Sequence, residues 1–306
     1  MRVVFFGTPE WAVPSLHALI ASVGEVTAVV TNPDKAGGRG MTLRPSPVKE
    51  AARAAGIPIF QPPSARGADL ERWLVHQEPD VAVVVAYGKI LPPRLLEIPR
   101  LGFVNLHFSV LPAYRGAAPV QHALIDGCAE TGVSTMLLTE GMDEGPVLAS
   151  TTVPVDAEET AGELGARLAL VGAPLLLDSL DRYAAGTLRP REQDHARATY
   201  APKISNEETR IDWGRPADDI KHLVHGLSPD PGAWTSLRGQ RMKLLRARST
   251  PAAGLSPGEL RADRALLVGT GEGILEILEA QPAGKRKMAG EDVARGLRAV
   301  PGERFE

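Results

Sequence analysis

Short apolar runs alternate with amphipathic stretches through the first half of the chain. Arg2–Phe6, Glu25–Thr31, Ile57–Phe60, Asp80–Ala86 and Phe103–His107 are rich in β-branched or aromatic residues, which is the pattern of strands. Between them, PEWAVPSLHALIA, SPVKEAARAAG and DLERWLVHQ repeat apolar residues at helical spacing. The run VAVVVA has no polar alternation, as expected of a strand covered on both faces. Ser46 followed by Pro47 supplies an N-cap and a first-turn residue for the second helix. Strand and helix in alternation predict an α/β, Rossmann-like domain with a mostly parallel sheet. Two further strands, Val133–Thr139 and Val147–Val155, and a helix over about 160–184 close it.

The pattern then changes. GTLRPREQDHARATYAPKIS, Gly186–Ser205, is polar and proline-punctuated and reads as a linker. One more helix, ADDIKHLVHGL, precedes AWTSL, RMKLLRA, ALLVG and GILEILEA, short strands set apart by Gly- and Pro-containing turns. They predict a small, OB-like β-barrel. The expected division is a first domain over 1–187, a linker over 188–204 and a C-terminal barrel domain over 205–306.

Composition narrows the function classes. With 306 residues, 43% hydrophobic and 23% charged, the chain is globular and long enough for a large and a smaller domain. Its formal charge of −3, from 34 Lys+Arg against 37 Asp+Glu, makes any attraction for a polyanion local. Three stretches qualify: Lys35–Lys49 with four basic residues and no acid, Arg238–Arg248 with five and no acid, and GKRKM at Gly284–Met288. The lone Cys128 excludes an internal disulfide and a cysteine-rich zinc site, and suits a reducing compartment. His222 and His225 lie three apart without a third ligand nearby, so no metal is expected. No apolar run approaches the roughly 18 residues of a membrane span, and the apolar part of MRVVFFGTPEW is too short for a signal peptide. The expectation is a cytoplasmic protein without membrane association.

Candidate chemistry sits at the end of the fifth strand. Alternation puts Asn105 and His107 on one face, with Val104, Leu106 and Phe108 on the other. They could satisfy loop backbone groups or meet a ligand, since open α/β sheets build crevices where strands end. An amide beside an imidazole suits acyl transfer: the amide donates to oxygen gaining charge, and the imidazole moves a proton near neutral pH. Asp143, bracketed by Gly141 and Gly145 in LTEGMDEGPVL, offers a carboxylate to orient the ring, although such an acid is also a common turn former. The glycine after the first strand lacks the G-x-G-x-x-G spacing of a dinucleotide site, which argues against an oxidoreductase.

Taken together, GTPEWAVPSL, TNPDKAGGRG, PSPVK, VAYGKILP, VNLHFSVLPAYRGAAPVQ, GMDEGPVL, YAPKIS and QPAGKRKM closely resemble the methionyl-tRNA formyltransferases, in order over nearly the whole chain. The resemblance implies transfer of a formyl group from the co-substrate 10-formyltetrahydrofolate to the α-amino group of methionyl initiator tRNA, without a metal. It implies catalytic roles for Asn105, His107 and Asp143, and folate contacts from Ser109, Val110, Leu111 and Pro112. It further implies tRNA contacts from Arg39 and Lys203, while the basic cluster Lys285, Arg286 and Lys287 is a candidate for more. A monomer is expected. The chain departs from the family where FSVLP lacks a proline before its serine, and where Asn206 follows KIS in place of a lysine. Rival readings are a folate-dependent formyltransferase of amino sugars or purine precursors, which leaves the basic stretches without a role, and an RNA-binding module, which has no need of Asn105, His107 and Asp143.

Overall fold

The structure is a computed structural model that describes residues 1–22, 25–37 and 42–306. Its contacts divide the chain into two compact units: residues 1–117, 131–153 and 165–201, and residues 118–130, 154–164 and 202–306.

The first unit is built on a seven-stranded sheet. Its strands are β1 (Arg2–Gly7), β2 (Glu25–Val30), β5 (Ile59–Phe60), β6 (Val81–Val85), β7 (Phe103–His107), β8 (Glu130–Leu137) and β9 (Val147–Pro154); β3 (Lys35–Gly37) and β4 (Thr42–Arg44) pair separately. The sheet order is β5-β2-β1-β6-β7-β8-β9, and the pairs from β5 through β7 are parallel while β7–β8 is antiparallel. This is the expected α/β fold with a mostly parallel sheet. All five residues of β6 and of β7 are buried, so the apolar run VAVVV and the polar Asn105 and His107 share one desolvated environment. Ser46 caps the helix Pro47–Ala54 by accepting from the Lys49 N–H at 3.1 Å.

The segment read as a linker is held within the first unit as far as Ala201. Arg191 pairs with Val147 through both backbone groups at 2.8 Å, and residues 199–201 run beside Arg115. Its polarity serves hydrogen bonding to the backbone of the first unit, which a composition-based reading cannot tell from solvation.

The second unit carries a six-stranded sheet of β10 (Ala233–Leu237), β11 (Gln240–Thr250), β12 (Leu260–Ala262), β13 (Leu266–Gly269), β14 (Ile274–Pro282) and β15 (Met288–Ala289), every pair antiparallel. The helix Ala217–Leu227 packs Ile220, Val224 and Leu227 against Leu244, Ala247 and Ile277 of this sheet. Three arginines of the Arg238–Arg248 stretch face acids instead of presenting free charge: Arg238 pairs with Glu303, Arg246 with Glu163 and Arg248 with Glu276. Arg241 lies over the Trp234 ring, 4.2 Å from its centroid.

His225 sits in the core of the second unit at 2% exposure, and its Nε2–H donates to the Ala247 carbonyl at 2.9 Å. Burial pushes its pKa down to about 4. In the unfolded chain the group returns to its ordinary value near 6.5 and takes up a proton that the folded chain refuses. Stability from this group is therefore complete above pH ~6.5 and falls by about 3 kcal/mol as the pH drops through that value towards 4. Thermal melts between pH 7 and 4 are expected to show a smaller acid-induced loss in His225→Gln than in the parent chain; equal losses would contradict this.

Candidate active site

The end of β7 and two loops form the candidate site. Asn105 and His107 are 8% and 6% exposed, opposite Met136 and Ser134 of β8. Among the described residues the Asn105 side-chain amide has no hydrogen-bond partner, so its donor and acceptor are both open to a ligand. The His107 Nε2 lies 2.9 Å from the Tyr114 carbonyl; a carbonyl only accepts, so this nitrogen carries a proton. Nδ1 is thereby left on the side of Asp143, whose Oδ2 is 3.7 Å away.

The 143 loop is built for that approach. Asp143 has φ +53°, the left-handed region that few non-glycine residues adopt, and its Oδ2 accepts from the Gly116 N–H at 2.8 Å. A Cβ on Gly145 would lie 1.8 Å from the Leu137 carbonyl oxygen, so only glycine permits this close return of the loop to β8. The segment 114–116 thus grips both members of the pair, the ring through the Tyr114 carbonyl and the carboxylate through the Gly116 N–H.

Directly after β7, Ser109, Val110, Leu111 and Pro112 fold back along β8. The Ser109 hydroxyl, fully buried, donates to the Ala113 carbonyl. Ser134 Oγ donates to the Ser109 carbonyl at 2.8 Å and accepts from the Leu111 N–H at 3.0 Å. Ser134 stands opposite His107 in the ladder, so one hydroxyl ties the loop to the strand pair that carries the imidazole. Neither Ser134 nor Tyr114 is marked out by sequence, because both act on or through backbone groups; Arg115 and Gln193 escape it because they lie 78 positions apart and meet only in the tertiary fold.

The expected nucleic-acid contacts are distributed otherwise. Arg39 lies outside the described residues. Lys49, counted among the cations of the basic stretch, is buried and bonded to both oxygens of Asp34 at 2.8 and 2.7 Å. That ammonium holds the Asp34 carboxyl below its ordinary range, with the Gln61 amide as a second donor. Lys203 is exposed in the second unit. Lys285, Arg286 and Lys287 are exposed and, with Met288, line an open concavity of about 570 Å³. Lys287 is 3.1 Å from Glu279, whereas Lys285 and Arg286 have no acidic partner among the described residues. No cluster of three or more His, Cys, Asp or Glu placed to hold a metal occurs among the described residues, and no helix among them is long and apolar enough to cross a membrane.

Comparison with known families decides the affiliation. Residues 1–180 match the formyl transferase family model and residues 203–298 the model of the formyl transferase C-terminal domain. The methionyl-tRNA formyltransferase of Streptomyces griseus is 48% identical over 99% of both chains, and that of Acidothermus cellulolyticus is 45% identical over the full length of both. The chain belongs to the methionyl-tRNA formyltransferase family.

Solved structures share the fold across much wider sequence distances. An N-formyltransferase of Helicobacter canadensis, in complex with folinic acid and dTDP-3-aminofucose, superposes with a TM-score of 0.70 at 17% identity, covering 92% of this chain and 99% of that one. HypX of Aquifex aeolicus, in complex with tetrahydrofolic acid, gives 0.67 at 18% identity over 98% of this chain, which spans about half (48%) of HypX. The fold alone is therefore shared at 17–18% identity, and it is sequence likeness that places this chain among the methionyl-tRNA formyltransferases.

Proposed function

We propose that this chain transfers the formyl group of 10-formyltetrahydrofolate to the α-amino group of methionine esterified to initiator tRNA, giving N-formylmethionyl-tRNA for translation initiation. The observation that carries the reading is the unspent Asn105 amide beside the His107–Asp143 pair, in a chain of this family. The amine nitrogen attacks the formyl carbon and forms the new C–N bond. The bond to N10 of the folate then breaks, N10 keeps the electron pair and gains a proton, and the amine loses one. Asn105 donates to the formyl oxygen as it becomes anionic. His107 assists that oxygen and manages the amine proton, and Asp143 orients the ring and balances its charge. Ser109, Val110, Leu111 and Pro112 hold the folate through their loop.

The same proposal gives catalysis to residues 1–187 and tRNA binding to residues 205–306, whose antiparallel sheet it treats as an OB-like barrel. Lys203, Lys285, Arg286 and Lys287 meet tRNA phosphates and Arg39 meets the acceptor end. The protein works as a cytoplasmic monomer. Replacing Lys285, Arg286 and Lys287 by glutamine is expected to raise the tRNA KM and flatten its salt dependence, by up to about one unit of slope for each phosphate no longer neutralised. Lys287, already beside Glu279, should contribute least. An unchanged KM across a salt series would remove the cluster from the tRNA site. The function itself is tested by supplying 10-formyltetrahydrofolate and charged initiator tRNA: formylated tRNA and tetrahydrofolate should appear in equal amounts, and release of formate without formylated tRNA would contradict the reading.

A further inference from the structure

We infer that Arg115 and Gln193 are positioning residues that set the Asp143 carboxylate against His107. The inference rests on the catalytic reading of Asp143 above. Arg115 is the largest fully buried side chain among the described residues, at 1% exposure, and its Nε and Nη2 both donate to Gln193 Oε1, at 3.0 and 2.8 Å. Its remaining terminus, Nη1, faces His195 Nδ1 at 3.3 Å and Glu144 Oε1 at 3.8 Å. Gln193, 7% exposed, turns its Nε2 to the other side, donating to the Asp143 carbonyl at 2.8 Å and the Gly145 carbonyl at 2.7 Å.

The direction of this chain of bonds is fixed by chemistry. A guanidinium only donates, so the amide oxygen of Gln193 must face Arg115 and its amino group must face the two carbonyls. Both lone pairs and both protons of that amide are then used. Its two donations fall on the turn where Asp143 holds φ +53°, a conformation that needs outside support in an L-residue. The backbone of Arg115 belongs to the same device: its N–H donates to the Thr199 carbonyl at 2.9 Å and its carbonyl accepts from the Ala201 N–H at 2.7 Å. Its neighbour Gly116 supplies the N–H that holds the Asp143 carboxylate. A Cβ on Gly116 would lie 2.6 Å from the Ala201 carbonyl oxygen, so residues 199–201 press directly on this segment. Asp143 is thus held twice, at its carbonyl by Gln193 and at its carboxylate by Gly116, and both holds converge on residues 115–116.

Burying a guanidinium against a neutral amide and a partly exposed carboxylate is an expensive way to fill a core. As a device that forbids the flipped Gln193 amide, it has a consequence for rate. Displacing a catalytic group by about 1 Å can cost on the order of 10²-fold.

The test is a double-mutant cycle on the full chain with Gln193→Glu and Asp143→Asn, measured under saturating folate and tRNA. Gln193→Glu keeps shape and strengthens pairing to Arg115 but presents acceptors, not donors, to the two carbonyls. The expected result is a kcat about 10-fold or more below the parent with both KM values within about threefold, and no further loss when the change is made on Asp143→Asn. A purely structural role predicts the same fractional loss in both backgrounds, and that result overturns the inference. Asp143→Asn slow with Gln193→Glu unimpaired also overturns it while sparing the catalytic reading. Asp143→Asn at the parental rate instead overturns the reading of Asp143, and the positioning role with it. If Gln193→Glu is insoluble, Gln193→Met, which removes the donors without adding charge, is read in the same cycle by the same criteria.

Discussion

Asn105→Ala is expected to lower turnover by about 10²-fold or more, with folate and tRNA affinities nearly unchanged. The reason is the state of the amide before substrate arrives. It belongs to a residue only 8% exposed and is bonded to no other side chain or backbone group among the described residues, so its donor capacity is available to the reacting oxygen. A donor aimed at charge that grows only in the transition state contributes mainly to kcat, and removal of one such donor typically costs about 10²- to 10³-fold. Asn105 stands on β7 between Val84 of β6 and Met136 of β8, and the ladder is made by backbone groups, so truncation of the side chain leaves the strand pairing intact. Asn105→Ala should therefore fold as the parent does. Turnover within about threefold of the parent, in a variant with an unchanged melting curve, would remove Asn105 from the chemistry.

His107→Ala is expected to cost at least as much, about 10²-fold or more, and the loss should overlap with that of Asp143→Asn. The two side chains meet at 3.7 Å through Nδ1 and Oδ2, which places the Asp143 carboxylate to act on the ring. If Asp143 acts only on His107, then once the imidazole is gone its substitution has little left to remove. The double variant should be close in rate to His107→Ala alone. Losses that multiply fully would show that Asp143 works independently, for example on the amine.

The difference between what is legible in the sequence and what is not follows from the kind of interaction. Strands such as Phe103–His107 and the helix Ala217–Leu227 are readable because burial imposes a period on side chains. The shared face of Asn105 and His107 follows from strand alternation. That Asp143 approaches His107 does not, since the two lie 36 positions apart in the chain and only the tertiary fold closes the gap. Short strands such as Leu260–Ala262 and Met288–Ala289 carry too few residues to show a period, and the short helix Gly290–Leu297 lies beyond the elements that the pattern predicts. The polar segment ending at Ala201 reads as a linker because Gln193 and Thr199 look solvated by composition, while in the structure they bind the backbone around the site. Charge runs mislead in the same way. Arg238, Arg246 and Arg248 find acids distant in sequence, and Lys49 finds Asp34.

The choice of acceptor is the most exposed part of the proposed function, because the fold is shared with an N-formyltransferase whose structure holds a nucleotide-linked amino sugar. A competition assay addresses it: formyl transfer from 10-formyltetrahydrofolate, with charged methionyl initiator tRNA, free methionine and a dTDP-linked amino sugar offered in parallel at equal concentration. Rapid formylation of the tRNA-bound methionine, with negligible transfer to the other two, is the expected result. Preferential formylation of the amino sugar, or equal rates on free and tRNA-bound methionine, would refute the assignment.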